Sequence, residues 1–535
     1  MTGYDVDVLV AGAGPVGLTA AVQLARSGVS VRLVDAAAVP ATTSRALGSH
    51  ARSLEIYDQL GILGEIAPHG TRINTFVMHR GGRPNRLDFD FGGLPTRFPY
   101  MFNVDQVIIE RVLRGHAAAA GVAVGWSTRL ESFQQDEEAV TAVLRGGDGT
   151  EETVRARYLW GCDGGHSTVR KTLRLPLTGE PAHTWLIADA LVHTDVDIDG
   201  VHWLFARGGT LMLFPFPFPE PGKWRLLDTT GEGQPDDPEQ IARQFGAKLS
   251  QALGHDTVVE EPTWASKFTI QQRAVPAMHL GRCFVSGDAA HVHSPASGQG
   301  LNTGIQDAYN LAWKLAMVVH GHADATLLDT YDTERVPIGQ ALLASTGEVM
   351  ETIMVDKAGG SGVPAGPGHS PRDFQRQLIR NMSGLAIAYP DSPLTVPGDG
   401  TGEGPRPGER LTQIRAAEAQ SPGWTILRQK LRSPAWHLLA FAGGGEPDGR
   451  DHPAAGAGPL PVWVDTLTIS RRRPDGDHGV WDPDGQVHDT LAAADGDWLL
   501  VRPDGHLSAR GTGGTSLRAA LKELKSLHMP EQARA

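Results

Sequence analysis

Cysteine is nearly absent from this chain: Cys162 and Cys283 are the only two among 535 residues. That scarcity argues against a disulfide framework or a cysteine-rich metal site. Each thiol sits in or beside an apolar stretch, so two buried free thiols are expected. Long apolar runs are also lacking. No stretch approaches 18 consecutive apolar residues, so no transmembrane helix and no membrane partner are predicted. Positive charge is in deficit as well, with 48 Lys and Arg against 61 Asp and Glu, a formal charge of −13. Nucleic acid and anionic membrane reward basic patches, so both are disfavoured as partners. Residues Met1 to Asp5 run straight into an apolar strand without the charged and apolar parts of a leader. A cytoplasmic setting is the expectation.

What the chain does have is glycine in two places where glycine carries chemistry. Val6, Val8, Leu9 and Val10 make a short apolar strand, and the turn Gly12, Ala13, Gly14, Pro15, Val16, Gly17 follows at once. A helix over Leu18 to Ser27 ends at Gly28, and a second strand, Val29 to Val34, closes on Asp35. Strand, glycine turn, helix, strand and acid in this order make a dinucleotide-binding unit. Gly12 permits the tight turn, Gly14 lets a pyrophosphate approach the backbone, and Gly17 lets helix and strand pack closely. Asp35 lies where a carboxylate accepts hydrogen bonds from an adenosine ribose. This motif alone does not separate FAD from NAD.

The second place is Gly281 to Leu315. It reads as a strand (Cys283 to Ser286), a polar turn opening with Gly287 and Asp288, and a helix beginning near Gly300. Leu301, Ile305, Ala308, Ala312 and Leu315 recur every three or four residues, which buries one face of that helix. Gly298, Gln299 and Gly300 stand at its start, where unpaired N–H groups and the positive end of the helix dipole suit an anion. His291 and His293 could suggest a metal pair, but no Cys or Glu stands at ligand spacing, so structural loop histidines and no metal are expected. Arg471 to Arg473, followed by Asp475 and Asp477, reads as a solvated turn.

Four segments then carry a resemblance: Gly12 to Gly17 with Asp35; Ser44 to Gly48 with Arg52; Cys162, Asp163 and Gly164 with Arg170; and Gly287 through Asn302. In this order, over the first two thirds of the chain, they resemble the single-component FAD-dependent aromatic monooxygenases of the para-hydroxybenzoate hydroxylase fold. Within that family the pattern is similar to the phenol hydroxylase-like and aromatic polyketide hydroxylases. The resemblance implies an α/β fold with a Rossmann-like FAD-binding domain, a β-sheet substrate domain and a C-terminal thioredoxin-like domain. It implies FAD as cofactor and NADPH or NADH as transient reductant. Asp288 would hold the ribityl chain, Pro295 would lie near the isoalloxazine face, and the backbone of Gly298, Gly300, Leu301 and Asn302 would meet the N1–C2=O edge. Arg45 would lie near the cofactor, and Gln106, with Glu110 one turn on, would belong to a second flavin-contacting helix. Asp163 would serve the cofactor cleft and the approach of nicotinamide. For Asp163 and Asp288 the alternative is a turn or capping role.

The implied reaction is hydride transfer from the nicotinamide to FAD, then capture of O2 as a flavin C4a-hydroperoxide in a dry cavity. An electron-rich phenol or polyketide ring would attack the distal oxygen, giving hydroxylated product and water. No catalytic base can be named. A Baeyer–Villiger oxygenase on the same scaffold shares every motif, and a non-catalytic flavoprotein that binds a reactive intermediate is the third reading. A flavin halogenase is disfavoured, because its Trp-x-Trp-x-Ile-Pro signature is absent.

The expected domains are a discontinuous FAD-binding unit, 1–177 and 281–392, from which 72–105 makes an excursion into the substrate domain; the substrate domain itself, 178–280; and a C-terminal unit, 393–535. Aromatics gather in 178–280: Trp185, Trp203, Phe205, Phe214, Phe216, Phe218, Trp224, Trp264 and Phe268. Most are expected to be sheet core, with a few lining a flat apolar pocket for an aromatic substrate. Repeated prolines from Pro215 to Pro219 mark a sheet edge or strand end. Gly359 to Pro371 reads as a linker or loop. In the C-terminal unit, strands are expected over Trp463 to Leu467 and Trp498 to Arg502, and a last helix over Thr515 to Leu527. It has no Cys, so it cannot exchange disulfides and reads as a packing element or as the contact of a homo-oligomer.

Overall fold

The computed structural model describes residues 3–44, 46–80, 83–88, 91–206, 209–216, 222–293, 298–355, 376, 379–397, 404–442, 453, 457–473 and 477–528. Arg45, Phe218, Pro295 and the stretch from Gly359 to Pro371 lie outside the described residues.

Strand Val6–Ala11 is apolar on both faces, the mark of a strand covered from both sides. It pairs in parallel with Val31–Val34 on one side and with Glu151–Gly161 on the other. Cys283–Val285 lies beyond Glu151–Gly161, also parallel. An antiparallel meander, Thr128–Gln135 and Val140–Gly146, extends from Glu151–Gly161. Four segments far apart in sequence therefore leave this sheet at one edge: Gly12, Asp35, Cys162 with Asp163, and Ser286 with Gly287. In open α/β sheets the ligand crevice lies beyond the carboxyl ends of the strands.

Two helices cover this sheet. Pro15–Arg26 begins with proline at its first position, where a missing N–H costs nothing, so it starts three residues before the expected Leu18. Gln299–Val319 is buried from Asn302 to Met317, on all faces rather than on one stripe. One side lies on the glycine-turn helix, and Trp313 and Met317 belong to the core of the C-terminal unit.

A second sheet is built around the long strand Thr178–His193, flanked by Trp264–Ala274 and Lys223–Asp228. Beyond Lys223–Asp228 it continues through Gly209–Pro215, Gly200–Ala206, Thr75–Arg80 and Arg83–Asp88. The interior strand Gly209–Pro215 ends at the first of the repeated prolines, a strand end. Period-two alternation divides the aromatics between two faces. Trp224 joins Leu186, Ala188, Leu204 and Leu211 beneath helix Pro238–Leu253, whereas Trp185, Trp203, Met212 and Leu227 join the core shared with the first sheet. Phe205, Phe214, Trp264 and Phe268 are half-buried against that same shared core. A small sheet of Gly48–Ser49, Met101–Val104 and Gly70–Ile73 bridges the two.

The C-terminal described residues form a sheet in the order Gly479–Trp481, Val464–Ser470, Trp436–Phe441, Asp497–Val501, Leu507–Thr512. The first three strands run parallel and the last two antiparallel, and helix Gly513–His528 follows. Central strand Trp436–Phe441 is wholly buried and was not expected from sequence. Among the described residues no helix is long and apolar enough to cross a membrane.

A buried ionic cluster ties this unit to the long helix. Arg502 donates to both oxygens of Glu334, at 2.6 and 2.9 Å, and to Asp504. Lys314 donates to Glu334 at 2.7 Å, and Trp313 Nε1 donates to Asp504 at 3.2 Å. Burial works to raise both carboxyls, but the Arg502 guanidinium more than offsets it, aided at Glu334 by Lys314, and both lie far below the ordinary carboxylate range. With folded values depressed, their contribution is complete above about pH 4 and is lost as pH falls toward the folded values. Urea unfolding at neutral pH should therefore show Arg502→Ala to be less stable by about 3–5 kcal/mol, since two buried carboxylates lose their partner. Wild-type stability should drop steeply below about pH 4, and Glu334→Gln should flatten that drop.

Candidate active site

The glycine turn separates three roles by space. Gly12 has φ +102°, and a Cβ there would lie 2.3 Å from the Cys162 carbonyl oxygen. On Gly17 a Cβ would lie 1.9 Å from the Gly12 oxygen, so helix and turn touch backbone to backbone. Gly14 has an ordinary φ of −73°, and a Cβ there would meet nothing within 4 Å. It faces open space at the N-terminus of a helix that no side chain caps. Asp35 accepts from the Ala13 N–H at 2.7 Å through one oxygen and from the Ala37 N–H at 2.8 Å through the other. Its carboxylate thus shapes the turn and remains half-exposed beside it.

The second glycine segment is packed onto the first. Gly287 has φ +59°, and Cβ atoms placed on Gly287 and Gly304 would lie 3.0 and 2.6 Å from the same atom, Val16 Cγ2. Val16 therefore marks the point where turn, glycine helix and long helix converge. The Gly287 N–H donates to Asp307 at 3.0 Å, and Asp307 also takes His291 Nε2 at 2.7 Å and Arg335 Nε at 2.8 Å. Burial would raise Asp307, but His291 and Arg335 outweigh it and keep the carboxyl below its ordinary value. Asp288, the next residue along, is exposed. His293 packs by its ring against Gly300, so each histidine of the pair supports the loop or the helix start.

At that helix start Gly298 is the cap residue, with φ +60° and no side-chain cap bond. Gly300 and Leu301 form the first turn. Asn302 is used as a pin: its Oδ1 accepts from the His50 N–H at 2.8 Å, and its Nδ2 donates to Gly48 O at 2.9 Å and Gly298 O at 2.7 Å. Gln106 begins helix Gln106–Ala119. Its N–H donates to Ser44 Oγ at 3.0 Å and its side chain to Glu110 at 2.7 Å, while burial pushes the Glu110 carboxyl up.

Asp163 accepts from the Thr168 and Val169 N–H groups, at 2.7 and 3.3 Å, and so caps helix Thr168–Thr172. Its other oxygen is buried with no hydrogen-bond partner among the described residues. Arg170 donates to Ala289 O and Gly165 O, joining the Asp163 loop to the Gly287 loop. On the second sheet Arg225 forms a two-pronged pair with Asp189, 2.8 Å at each contact, and donates to Ser44 O at 2.6 Å. Both thiols are free. Burial raises Cys283 to about 12 and Cys162 well above its ordinary value, so neither is a nucleophile at neutral pH.

A dinucleotide fits this arrangement. The backbone is open at Gly14, two helix starts are left without side-chain caps, and one carboxylate oxygen of Asp163 is orphaned beside the crevice. Residues 5–346 match the FAD binding domain family. Over 97% of the chain, and 94% of the relative, it is 44% identical to a 6-methylpretetramide 4-monooxygenase of Streptomyces rimosus. The chain belongs to the FAD-dependent aromatic monooxygenases. A pentachlorophenol 4-monooxygenase of Sphingobium chlorophenolicum is 34% identical over 77% of this chain and 76% of its own. The flavin-dependent monooxygenase PieE, solved with FAD and substrate, superposes with TM-score 0.77 over 98% of both chains at 23% identity, which establishes a shared fold.

Sequence reasoning on this monooxygenase overlooked Asp307, Arg335 and the Arg225–Asp189 pair. Asp307 did carry a signal, as the sole carboxylate in the sequence of helix Gln299–Val319. The segment Asp329 to Arg335 resembles one that closes the family's main body, but the pairings of Arg335 and Arg225 left no trace, because their partners lie 28 and 36 residues away. Space around the glycines yields a paired test. Gly14→Val should melt like wild type yet lose about 100-fold in FAD affinity, ~2.7 kcal/mol, read by flavin absorbance after gel filtration. Gly17→Ala should instead lower the melting temperature, since backbone must shift to admit the methyl group.

Proposed function

We propose that this enzyme inserts one atom of O2 into a phenolic or aromatic polyketide ring, consuming NADPH or NADH, by the route the family resemblance implies. The observation that carries the substrate class is full-length similarity to a relative named as a 6-methylpretetramide monooxygenase. The half-buried Phe205, Phe214 and Trp264 agree with it, since they offer flat apolar surface on the sheet face turned toward the cofactor unit.

Bound FAD supplies hydride acceptance and the activation of O2. The chain supplies position and field. Gly14 and the start of helix Pro15–Arg26 neutralise the pyrophosphate, with Asp35 at the ribose. Asp288 and Gln106 hold the cofactor's middle, and the backbone from Gly298 to Asn302 stabilises negative charge at the flavin rim. The resemblance also assigns Pro295 and Arg45 to the flavin; both lie outside the described residues. Asp163 both caps its helix and borders the cleft by which the nicotinamide approaches.

In the same reading 1–177 with 281–392 form the FAD-binding unit, and 178–280 the substrate domain, joined by 72–105. The unit from 393 to 535 is thioredoxin-like without its cysteines: three parallel strands, two further strands paired antiparallel and a closing helix support that assignment. The enzyme acts in the cytoplasm, in keeping with its free thiols.

Purified protein should be yellow, and a screen of phenols and polycyclic aromatics should find compounds that accelerate NADPH loss and gain one oxygen from isotopically labelled O2. If no compound both stimulates NADPH loss and gains labelled oxygen, the proposal fails.

A further inference from the structure

The chain has one dinucleotide fingerprint, and FAD takes it. A nicotinamide donor must therefore find its phosphate contacts among side chains elsewhere. A groove of about 520 Å³ lies between the segment Arg97 to Tyr100 and residues 416–428 of the C-terminal unit. Three guanidiniums line it, those of Arg72, Arg97 and Arg428, and no carboxylate does. A second groove, about 550 Å³, mixes Arg111 with Glu65, His69 and His116 and offers no such excess.

The arginines are held in place yet short of negative charge. Arg97, Arg428 and Arg432 all reach one carboxylate, Asp58, at 2.9, 3.3 and 2.9 Å. Arg428 Nε is buried without a hydrogen-bond partner among the described residues. Burial and the neighbouring Arg97 hold the Arg428 guanidinium below its ordinary value, only partly offset by Asp58. Arg72 lies over the Tyr100 ring, 4.5 Å from its centre, and Arg97 over the Phe98 ring, 4.6 Å from its centre. Three cations thus share one anion, and Arg72 stands beside them without a carboxylate of its own on the groove wall, in a chain whose formal charge is −13. Guanidiniums fixed on rings are suited to planar recognition of phosphate oxygens, and a local positive patch on an acidic protein steers anions to that spot.

We propose that this groove is a nucleotide-phosphate site that takes the adenosine bisphosphate end of the nicotinamide donor. The occupant rests on the proposed use of NADPH, the donor that carries a 2′-phosphate; the anion site rests on the groove alone. Arg72 and Arg428 grip phosphate, Arg97 holds the wall through Asp58, and the rings of Phe98 and Tyr100 lie beside the base.

The test titrates adenosine 2′,5′-bisphosphate, and inorganic pyrophosphate in parallel, into FAD-loaded full-length enzyme by calorimetry. Arg72 is exposed and outside the Asp58 cluster, so Arg72→Gln should fold and keep its flavin. It should bind the bisphosphate about tenfold more weakly, ~1.4 kcal/mol, and show a KM for NADPH raised to the same extent with kcat unchanged. Arg72→Lys should recover part of the loss. Equal affinity in wild type and Arg72→Gln, or no binding to either, overturns the site. Pyrophosphate binding as tightly as the bisphosphate reduces it to a bare anion site and overturns the nucleotide assignment. If neither nicotinamide reduces the flavin, the donor reading fails by itself and the calorimetry still decides the groove.

Discussion

The structure depends on a contact that side chains are forbidden to enter. Val16 of the glycine turn, Gly287 of the second turn and Gly304 of the long helix meet so closely that a methyl group on Gly304 would lie 2.6 Å from Val16. Below them Gly17, Gly12 and Cys162 meet backbone to backbone. These approaches bring two segments 270 residues apart in sequence to one crevice, with a helix N-terminus at either end of it. A long flat cofactor with phosphates at one end and an electron-rich rim at the other requires that geometry. The glycines supply it by having nothing to put in the way.

Close approach alone does not fix orientation. Asp307 does so, by accepting from the Gly287 N–H while held by His291 and Arg335. Arg335 NH1 in turn donates to Tyr389 Oη at 3.0 Å, and the Tyr389 ring lies 4.6 Å from that of His506. His506 is hydrogen-bonded through Asp504 to Arg502, Glu334 and Lys314. The cofactor turn is thus linked through buried polar groups to the C-terminal sheet, more than 200 residues later in the chain. Buried ion pairs are poor sources of stability compared with packed hydrocarbon, because desolvation offsets most of the attraction. Their merit is that only one arrangement satisfies them, and this cluster accordingly specifies how the C-terminal unit docks.

How much of this was legible in sequence follows from the range of the interactions. Periodicity and glycine placement are local, so the opening strand, the glycine turn, the long helix and the strands near 464 and 498 could be read directly. Helix starts moved by a few residues where Pro15 and Gln299 supplied the first turn. Strand Trp436–Phe441 escaped because a strand buried on both faces shows no alternation to detect. Asn302 was expected at the flavin rim, and its backbone lies at the helix start, but its side chain is spent on Gly48, His50 and Gly298. Asp163 takes the capping role offered as its alternative, with one oxygen on the N–H groups of Thr168 and Val169, while its other oxygen has no hydrogen-bond partner among the described residues. Ion pairs across many residues leave no periodic trace, and so Arg335 and Arg225 were invisible until the chain was folded.

Arg225 also shows why the second sheet cannot shift independently of the first. It is bound on its own sheet by both oxygens of Asp189, and it reaches across to the Ser44 carbonyl, whose residue receives the Gln106 N–H through Oγ. Burial raises the Asp189 carboxyl against the pull of Arg225, so the pair is stable only while the guanidinium stays in place. The guanidinium also lies 5.4 Å from the centres of the Phe216 and Trp264 rings. One cation therefore touches the Ser44 segment, the carboxylate of the sheet and two rings at the same time. Moving this sheet by about an ångström would break a charged hydrogen bond, and its distance from the Ser44 segment is set by that cost.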